Sequence, residues 1–273
     1  MEKILAKSHP TAIVEDGAIL AENCEIGPMC YVGANVKIGA GTKLIAQCHV
    51  TGYTTIGENN VLYPFAALGC DAQDHSVDFS TKRYLEVGND NVFREHVAIH
   101  TGTDADSKTI IGSHCMFMNC SHVAHNCRVG NNVILVNGAV IGGYSEVHDN
   151  AILSGNVAIH QFCRIGSFAM VSGGSVFSKD VPPFMIVESR NGSPKAVNRV
   201  GMRRNGFNME EINAMCDVLR IFTREGLSVP NALQKIREEV KMCRPVEIFI
   251  EFCENSKRGV VCGKAPGRHN NEC

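Results

Sequence analysis

Large apolar side chains recur at every sixth position over most of the chain. The series runs Val14, Leu20, Ile26, Val32, Ile38, Leu44, Val50, Ile56, Leu62 and Leu68, resumes at Val87, Phe93 and Ile99, and continues from Ile111 without a miss to Phe177. Neither the helical period of 3.6 nor the strand period of two produces this beat. A short strand followed by a tight bend, repeated around a solenoid, does. Two positions ahead of each apolar residue stands a small one, such as Cys24, Cys30, Thr42, Cys48, Cys115, Ser121, Cys127 or Ala139. Alternate residues of a strand share a face, so the small and the large side chain of each hexad both point inward. Glycine often follows the aliphatic, as in Ile26-Gly27, Ile38-Gly39, Val129-Gly130 and Ile165-Gly166. The pattern predicts that Gly, Asn and Asp take positive φ where the chain bends.

The repeats thus predict a parallel β-helix over residues 1–183 with two polar breaks, 70–84 and 101–108, that leave the solenoid as loops. Loops carried on a rigid scaffold are favoured places for function. Val181-Pro182-Pro183 is expected to end the repeats, because proline removes a donor and restricts its neighbour. Residues 184–273 then read as a helical domain. Asn208 with Glu211 forms a capping-box pattern ahead of Ile212, Met215, Leu219 and Phe222. Ser228 and Pro230 open a second helix, and Val246, Phe249, Ile250 and Cys253 mark a third, before a polar tail from about Gly259 that is expected to fray.

With 273 residues, 26 basic and 28 acidic side chains, the chain is large enough for a real core and close to neutral. Overall charge therefore selects no class of partner. The first ten residues lack the apolar run of a signal peptide, and no run approaches a bilayer span, so the expectation is a cytoplasmic protein without membrane insertion. Thirteen cysteines include no C-x-x-C pair, and six occupy the small inward slot. They read as reduced core thiols, with Cys262 and Cys273 expected to be exposed. Five cations and no acid lie among Arg190, Lys195, Arg199, Arg203 and Arg204, a cluster suited to a diphosphate or an acidic protein. It is too small, and too poor in aromatics, for nucleic acid.

If three hexads close one coil, residues 18 apart stack about 4.8 Å from each other. His125, Gly143 and Gln161 then share one corner column, and Asn119, Asn137, Gly155 and Gly173 another. An imidazole beside a glycine N–H could pair a general base with an oxyanion donor. His122 and His160 cluster around the first column.

These residues resemble the UDP-N-acetylglucosamine O-acyltransferases that begin lipid A synthesis. The matching stretches are His9-Pro10-Thr11-Ala12-Ile13-Val14, Ser121-His122-Val123-Ala124-His125-Asn126-Cys127, Val157-Ala158-Ile159-His160-Gln161-Phe162-Cys163, Asp180-Val181-Pro182-Pro183, Arg203-Arg204-Asn205-Gly206-Phe207 and Ser256-Lys257-Arg258-Gly259. The resemblance implies a left-handed winding, a homotrimer with clefts between subunits, and transfer of a 3-hydroxyacyl chain from acyl carrier protein to the sugar 3-hydroxyl. It implies His125 as base and Gly143 as oxyanion donor. It places Gln73, Asp74, His122, Asn126, His160 and Gln161 around sugar and acyl groups, Asn198 and Arg204 near nucleotide or donor, and Gly173 where glycine leaves room for a longer chain. No cofactor or metal is implied, since the thioester is already activated; zinc held by the histidines fits the His122–His125 spacing poorly.

Four positions depart from the family pattern. Asn126 replaces an aspartate, so the amide can accept a hydrogen bond but not balance an imidazolium charge, which predicts a weaker base. Ser76 replaces a lysine, Val200 an acid and Tyr144 a histidine. These changes leave open a related acyl- or acetyltransferase on another amino-sugar nucleotide, or a weakened paralogue that binds carrier protein.

Overall fold

In a computed structural model, which describes residues 6–75, 77–188 and 192–262, the hexads form a three-sided prism. Ser76, Arg190 and Cys273 lie outside the described residues. Each side is a parallel sheet of very short strands, and a strand pairs with the one a full coil later. Along the first face Met116–Phe117, Ile134–Leu135, Ile152–Leu153 and Met170–Val171 follow one another. The second face runs through His122–Val123, Val140–Ile141 and Ala158–Ile159, and the third through Arg128–Val129, Glu146–Val147 and Arg164–Ile165. Apart from the excursions and the last coil, where Met170 pairs with Ile186, the register is 18 residues, as in His122↔Val140↔Ala158.

The two-residue strands turn one side chain in and one out. Leu62, Phe93, Phe117, Leu135, Leu153 and Val171 fill the interior, while Cys24, Cys30, Cys48, Cys115, Cys127 and Cys163 occupy the small slots; all are buried. The buried thiols are unpaired. Burial pushes Cys115 up to about 11 and Cys127 to about 12, which keeps them protonated. Cys262, expected on the surface, is half-buried against the core, and Cys120 at a corner is exposed instead.

Positive φ falls on the third residue after the aliphatic, as at Asn126 (φ 59°), Tyr144 (φ 58°) and Phe162 (φ 65°), rather than on the glycine that follows it directly. That glycine has a steric role. A Cβ on Gly27 would overlap the Ile45 carbonyl of the next coil, and one on Gly39 would stand 2.5 Å from the backbone of Gly57. Coils stacked at the interstrand spacing leave no room for a side chain there.

The excursions leave after Ala67–Cys70 and Ala98–His100 and rejoin at Tyr84–Val87 and Lys108–Ile111. The winding does not stop at the proline pair. Met185–Val187 adds a parallel strand beside Met170–Val171, because the prolines sit in a corner where Phe184 takes φ 64° and no ladder donor is required of them. Pro194–Val197 then reverses direction as an antiparallel edge strand. Among the described residues four helices follow: α1 (Arg199–Arg204), α2 (Met209–Arg224), α3 (Val229–Glu239) and α4 (Arg244–Glu254). Asn208 and Glu211 cap α2 reciprocally, and the Ser228 side chain caps α3 with Pro230 in its first turn.

Helical end and solenoid are clamped through Asp180, which is 1% exposed. Its carboxylate accepts from the Arg164 N–H at 2.8 Å, from Arg164 Nε at 3.1 Å and from Ser256 Oγ at 2.8 Å. Arg164 also donates to the Phe252 carbonyl of α4 at 2.7 Å and lies over the Phe252 ring. Of the segment expected to fray from Gly259, residues 259–262 are instead docked, and the remainder lies outside the described residues. Asp180 N–H donates to Gly259 O and Val261 N–H to Asp180 O, both at 2.9 Å, and Val260 and Val261 are buried.

Removing one partner of a buried, hydrogen-bonded ion pair leaves the other desolvated and unpaired. Asp180→Ala is therefore expected to lower the urea-unfolding free energy by about 3–5 kcal/mol, measured at fixed protein concentration. An unchanged unfolding midpoint would mean that apolar packing alone holds the helical end.

Candidate active site

The 18-residue register sets His125, Gly143 and Gln161 one above another at the corner between the second and third faces. Tyr144 N–H donates to His125 O at 3.0 Å, and Phe162 N–H donates to Gly143 O at 2.9 Å. The imidazole of His125 lies against Gly143: a Cβ on that glycine would stand 2.5 Å from His125 Cε1 and 2.6 Å from Nε2. Only glycine fits above this ring. Among the described residues the Gly143 N–H donates to no acceptor, so it is available beside the imidazole.

His125 is 9% exposed, and its two ring nitrogens face different surroundings. Nδ1 meets Asn126 Oδ1 at 2.9 Å. Nε2 faces the first excursion, 3.9 Å from Asp74 Oδ2. The edge of the Tyr144 ring packs on the imidazole with centroids 5.3 Å apart, and Tyr144 itself stacks on Phe162 at 4.9 Å.

The second excursion closes the other side. Thr103, itself 5% exposed, donates its N–H at 3.1 Å and its hydroxyl at 3.0 Å to Asn126 Oδ1. Thr103 Oγ1 also lies 2.9 Å from the Tyr144 hydroxyl, which donates to Asp104 Oδ2 at 3.1 Å. The Asn126 N–H is held by Thr109 Oγ1 at 2.9 Å.

His122 points outward from the second face and meets the edge of His100, centroids 4.9 Å apart. Burial lowers the pKa of both, that of His100 to about 4, so the pair stays neutral at physiological pH. His160 and Gln161 are exposed at the corner. Arg258 Nη2 reaches His160 Nδ1 at 3.3 Å and Ser178 O at 3.1 Å, bringing a cation from the C-terminal segment to the same corner. Beside it, Tyr144, Phe162, Arg164, Lys257 and Arg258 line a cleft of about 570 Å³.

His125, Gly143, Asp74, His122, Asn126, His160 and Gln161 thus share one corner, with Gln73 exposed on the adjoining loop. Gly173 stands at a different corner, between the first and second faces, where an added Cβ would meet Gly155 O at 3.2 Å. Asn198 and Arg204 stand at the third. Buried Asn198 caps α1 and donates to Phe168 O at 2.9 Å, while Arg204 ends that helix in solvent. One subunit therefore does not unite all the residues that the resemblance groups together. Thr103, Asp104, His100 and Arg258 are the members of the corner that the repeat pattern does not reveal. The first three enter from or beside an excursion, and Arg258 was legible only as part of the Ser-Lys-Arg-Gly stretch.

Residues 108–143 match the bacterial transferase hexapeptide model, and residues 180–261 match the second domain of UDP-N-acetylglucosamine O-acyltransferase. The chain is 44% identical over 255 residues to an acyl-[acyl-carrier-protein]–UDP-N-acetylglucosamine O-acyltransferase of Syntrophobacter fumaroxidans, covering 93% of this chain and 98% of the relative. It is 40% identical to the protein of that name from Burkholderia orbicola, covering 94% and 100%. Among solved structures it resembles the UDP-N-acetylglucosamine acyltransferase of Bacteroides fragilis, with a TM-score of 0.89 at 36% identity over 93% of this chain and 99% of that one. The enzyme of Francisella novicida gives 0.88 at 32% identity, over 96% and 95%. The winding is accordingly the left-handed β-helix that was expected. A hexapeptide prism carrying a histidine under a corner glycine, closed by the matching helical end, makes this chain a member of the UDP-N-acetylglucosamine O-acyltransferase family.

Proposed function

We propose that the chain transfers a 3-hydroxyacyl group from acyl carrier protein to the 3-hydroxyl of UDP-N-acetylglucosamine, the first step of lipid A synthesis, in the cytoplasm. The observation that carries this reading is the His125 imidazole packed directly beneath the Gly143 amide. His125 Nε2 takes the proton of the sugar hydroxyl as that oxygen attacks the thioester carbonyl carbon. The carbonyl oxygen becomes an oxyanion, received by the Gly143 N–H. Collapse expels the thiolate of the carrier, which recovers the proton from His125. The sequence needs neither metal nor cofactor. Asp74 and Gln73 orient the sugar from the first excursion, with His122, His160 and Gln161 around the reacting groups. Exposed Arg203 and Arg204 suit a diphosphate or the acidic carrier. Among the described residues no helix is long and apolar enough to cross a membrane.

The working unit is proposed to be a homotrimer. The outward side chains of the first face, Val92, Met116, Ile134, Ile152, Met170 and Ile186, form a half-buried apolar stripe. The third face shows Arg128, Glu146 and Arg164 in the same register. An apolar stripe opposite a charged one marks the first face for burial against a neighbour. Packing three prisms would also bring the Gly173, Asn198 and His125 corners of different subunits to one cleft.

Incubation with UDP-N-acetylglucosamine and either 3-hydroxyacyl carrier protein or acyl-coenzyme A, followed by mass spectrometry, tests the reaction. A product formed only from acetyl-coenzyme A would reject it. His125→Ala is expected to lower kcat by about two to four orders of magnitude. Gly143→Ala should approach the same loss with an unchanged circular dichroism spectrum, because its methyl displaces the imidazole. Ile152→Asp is expected to convert the trimer to monomer in sedimentation velocity and to abolish turnover; an intact trimer would place the interface on another face.

A further inference from the structure

We infer that Thr103, Tyr144 and Asp104 form a positioning network that decides which end of the Asn126 amide faces His125, and thereby which imidazole nitrogen carries the proton. The inference rests on His125 being the base. It concerns a problem this chain has because position 126 is an amide. The oxygen and nitrogen ends of an amide are nearly the same size and opposite in hydrogen-bonding character. Turned one way, Asn126 accepts a proton from Nδ1 and leaves the Nε2 lone pair toward the substrate. Turned the other way, it donates to Nδ1, forces the proton onto Nε2 and removes the base. A carboxylate has no such ambiguity, since either oxygen accepts.

The surroundings of Asn126 settle the choice. The Thr103 N–H, 3.1 Å away, can only donate, so it demands oxygen at that position. The Thr103 hydroxyl adds a second donor at 3.0 Å. With an acceptor oxygen thus presented to His125 at 2.9 Å, Nδ1 carries the proton and Nε2, on the Asp74 side, is free. Thr103 is itself buried, so its N–H has no water to donate to in place of the amide oxygen.

Thr103 has one hydroxyl proton, and its commitment to Asn126 is enforced from behind. The Tyr144 hydroxyl stands 2.9 Å from Thr103 Oγ1 and 3.1 Å from Asp104 Oδ2. Sharing its own proton between those two oxygens, Tyr144 gives Thr103 a partner to accept from, and of the two acceptors within reach of the threonine proton Asn126 Oδ1 at 3.0 Å is closer than Asp104 Oδ2 at 3.4 Å. Tyr144 is in place because it is the left-handed corner residue one coil beyond Asn126, with φ 58° above φ 59°, and is stacked on Phe162. A family departure at 126 and another at 144 are in this way parts of one arrangement.

The decisive measurement is the tautomer of His125 in protein labelled with 15N in the histidine rings, the signal being assigned by its loss in His125→Gln. The wild-type ring is expected as the Nδ1–H tautomer, and Thr103→Val should turn it into a mixture. In turnover, Thr103→Val should lower kcat about tenfold with KM within about twofold, as loss of base orientation requires. Thr103→Ser should recover most of that rate. Placed on an Asn126→Asp background, Thr103→Val should cost less than about twofold, because a carboxylate needs no orientation. An equal loss on both backgrounds, or a His125 tautomer that Thr103→Val leaves unchanged, would overturn the inference. Should the chain fail to transfer acyl groups at all, the tautomer measurement still decides the network by itself.

Discussion

The parallel ladder between successive coils is the constraint from which the rest of the molecule follows. Its 18-residue register converts a distance along the chain into a distance of one strand spacing, and it does so at every corner at once. The core is the inward half of that ladder, with large and small residues alternating in each hexad. The candidate site is its outward half at one corner, where His125 and Gly143 become neighbours without belonging to the same strand, turn or motif. Backbone bonds on both sides of the pair, Tyr144 to His125 and Phe162 to Gly143, hold the spacing, so the distance between the two residues is set by the scaffold.

That division separates what is legible in the sequence from what is not. Hexads are a local signal, repeated many times, and both the interior and the His125–Gly143–Gln161 column follow from them by counting. Helix caps are local too, which is why Asn208 with Glu211 and Ser228 with Pro230 mark their helices correctly. Glycine is ambiguous in a sequence because its two uses look alike. The bends take positive φ three residues after the aliphatic, whereas Gly27 and Gly39 exist to clear the backbone of the next coil. Pro182 and Pro183 looked like a stop because their restrictions are local, while Met185–Val187 is kept in the ladder by a partner 16 residues away, Ile186 beside Met170. Docking of Val260 and Val261, two apolar residues in an otherwise polar tail, depends on Asp180 and has no periodic signature.

The environment of Asn126 was the least legible part. Judged alone, an amide next to a catalytic histidine is a weaker version of a carboxylate, and nothing in the hexads says otherwise. Its partners come from an excursion that interrupts the repeat and from a corner one coil on, so only the folded chain brings Thr103, Asp104 and Tyr144 to it. The same holds for His100, whose burial beside His122 keeps both rings neutral on the second face next to the His125 corner. Loops hung on a periodic scaffold supply what periodicity cannot, namely a surrounding that is different at one corner from every other.

The register also decides where this chain can grow or shrink. A single residue gained or lost between positions 125 and 143 would carry the glycine off its column, expose inward side chains and turn outward ones into the core. The excursions rejoin the ladder in step at Tyr84 and Lys108 whatever their contour length, so additional residues there leave the column untouched. Variation in length is thereby channelled into the two segments that flank the His125 corner, and divergence there can proceed by loop insertion while the spacing of His125 and Gly143 stays fixed.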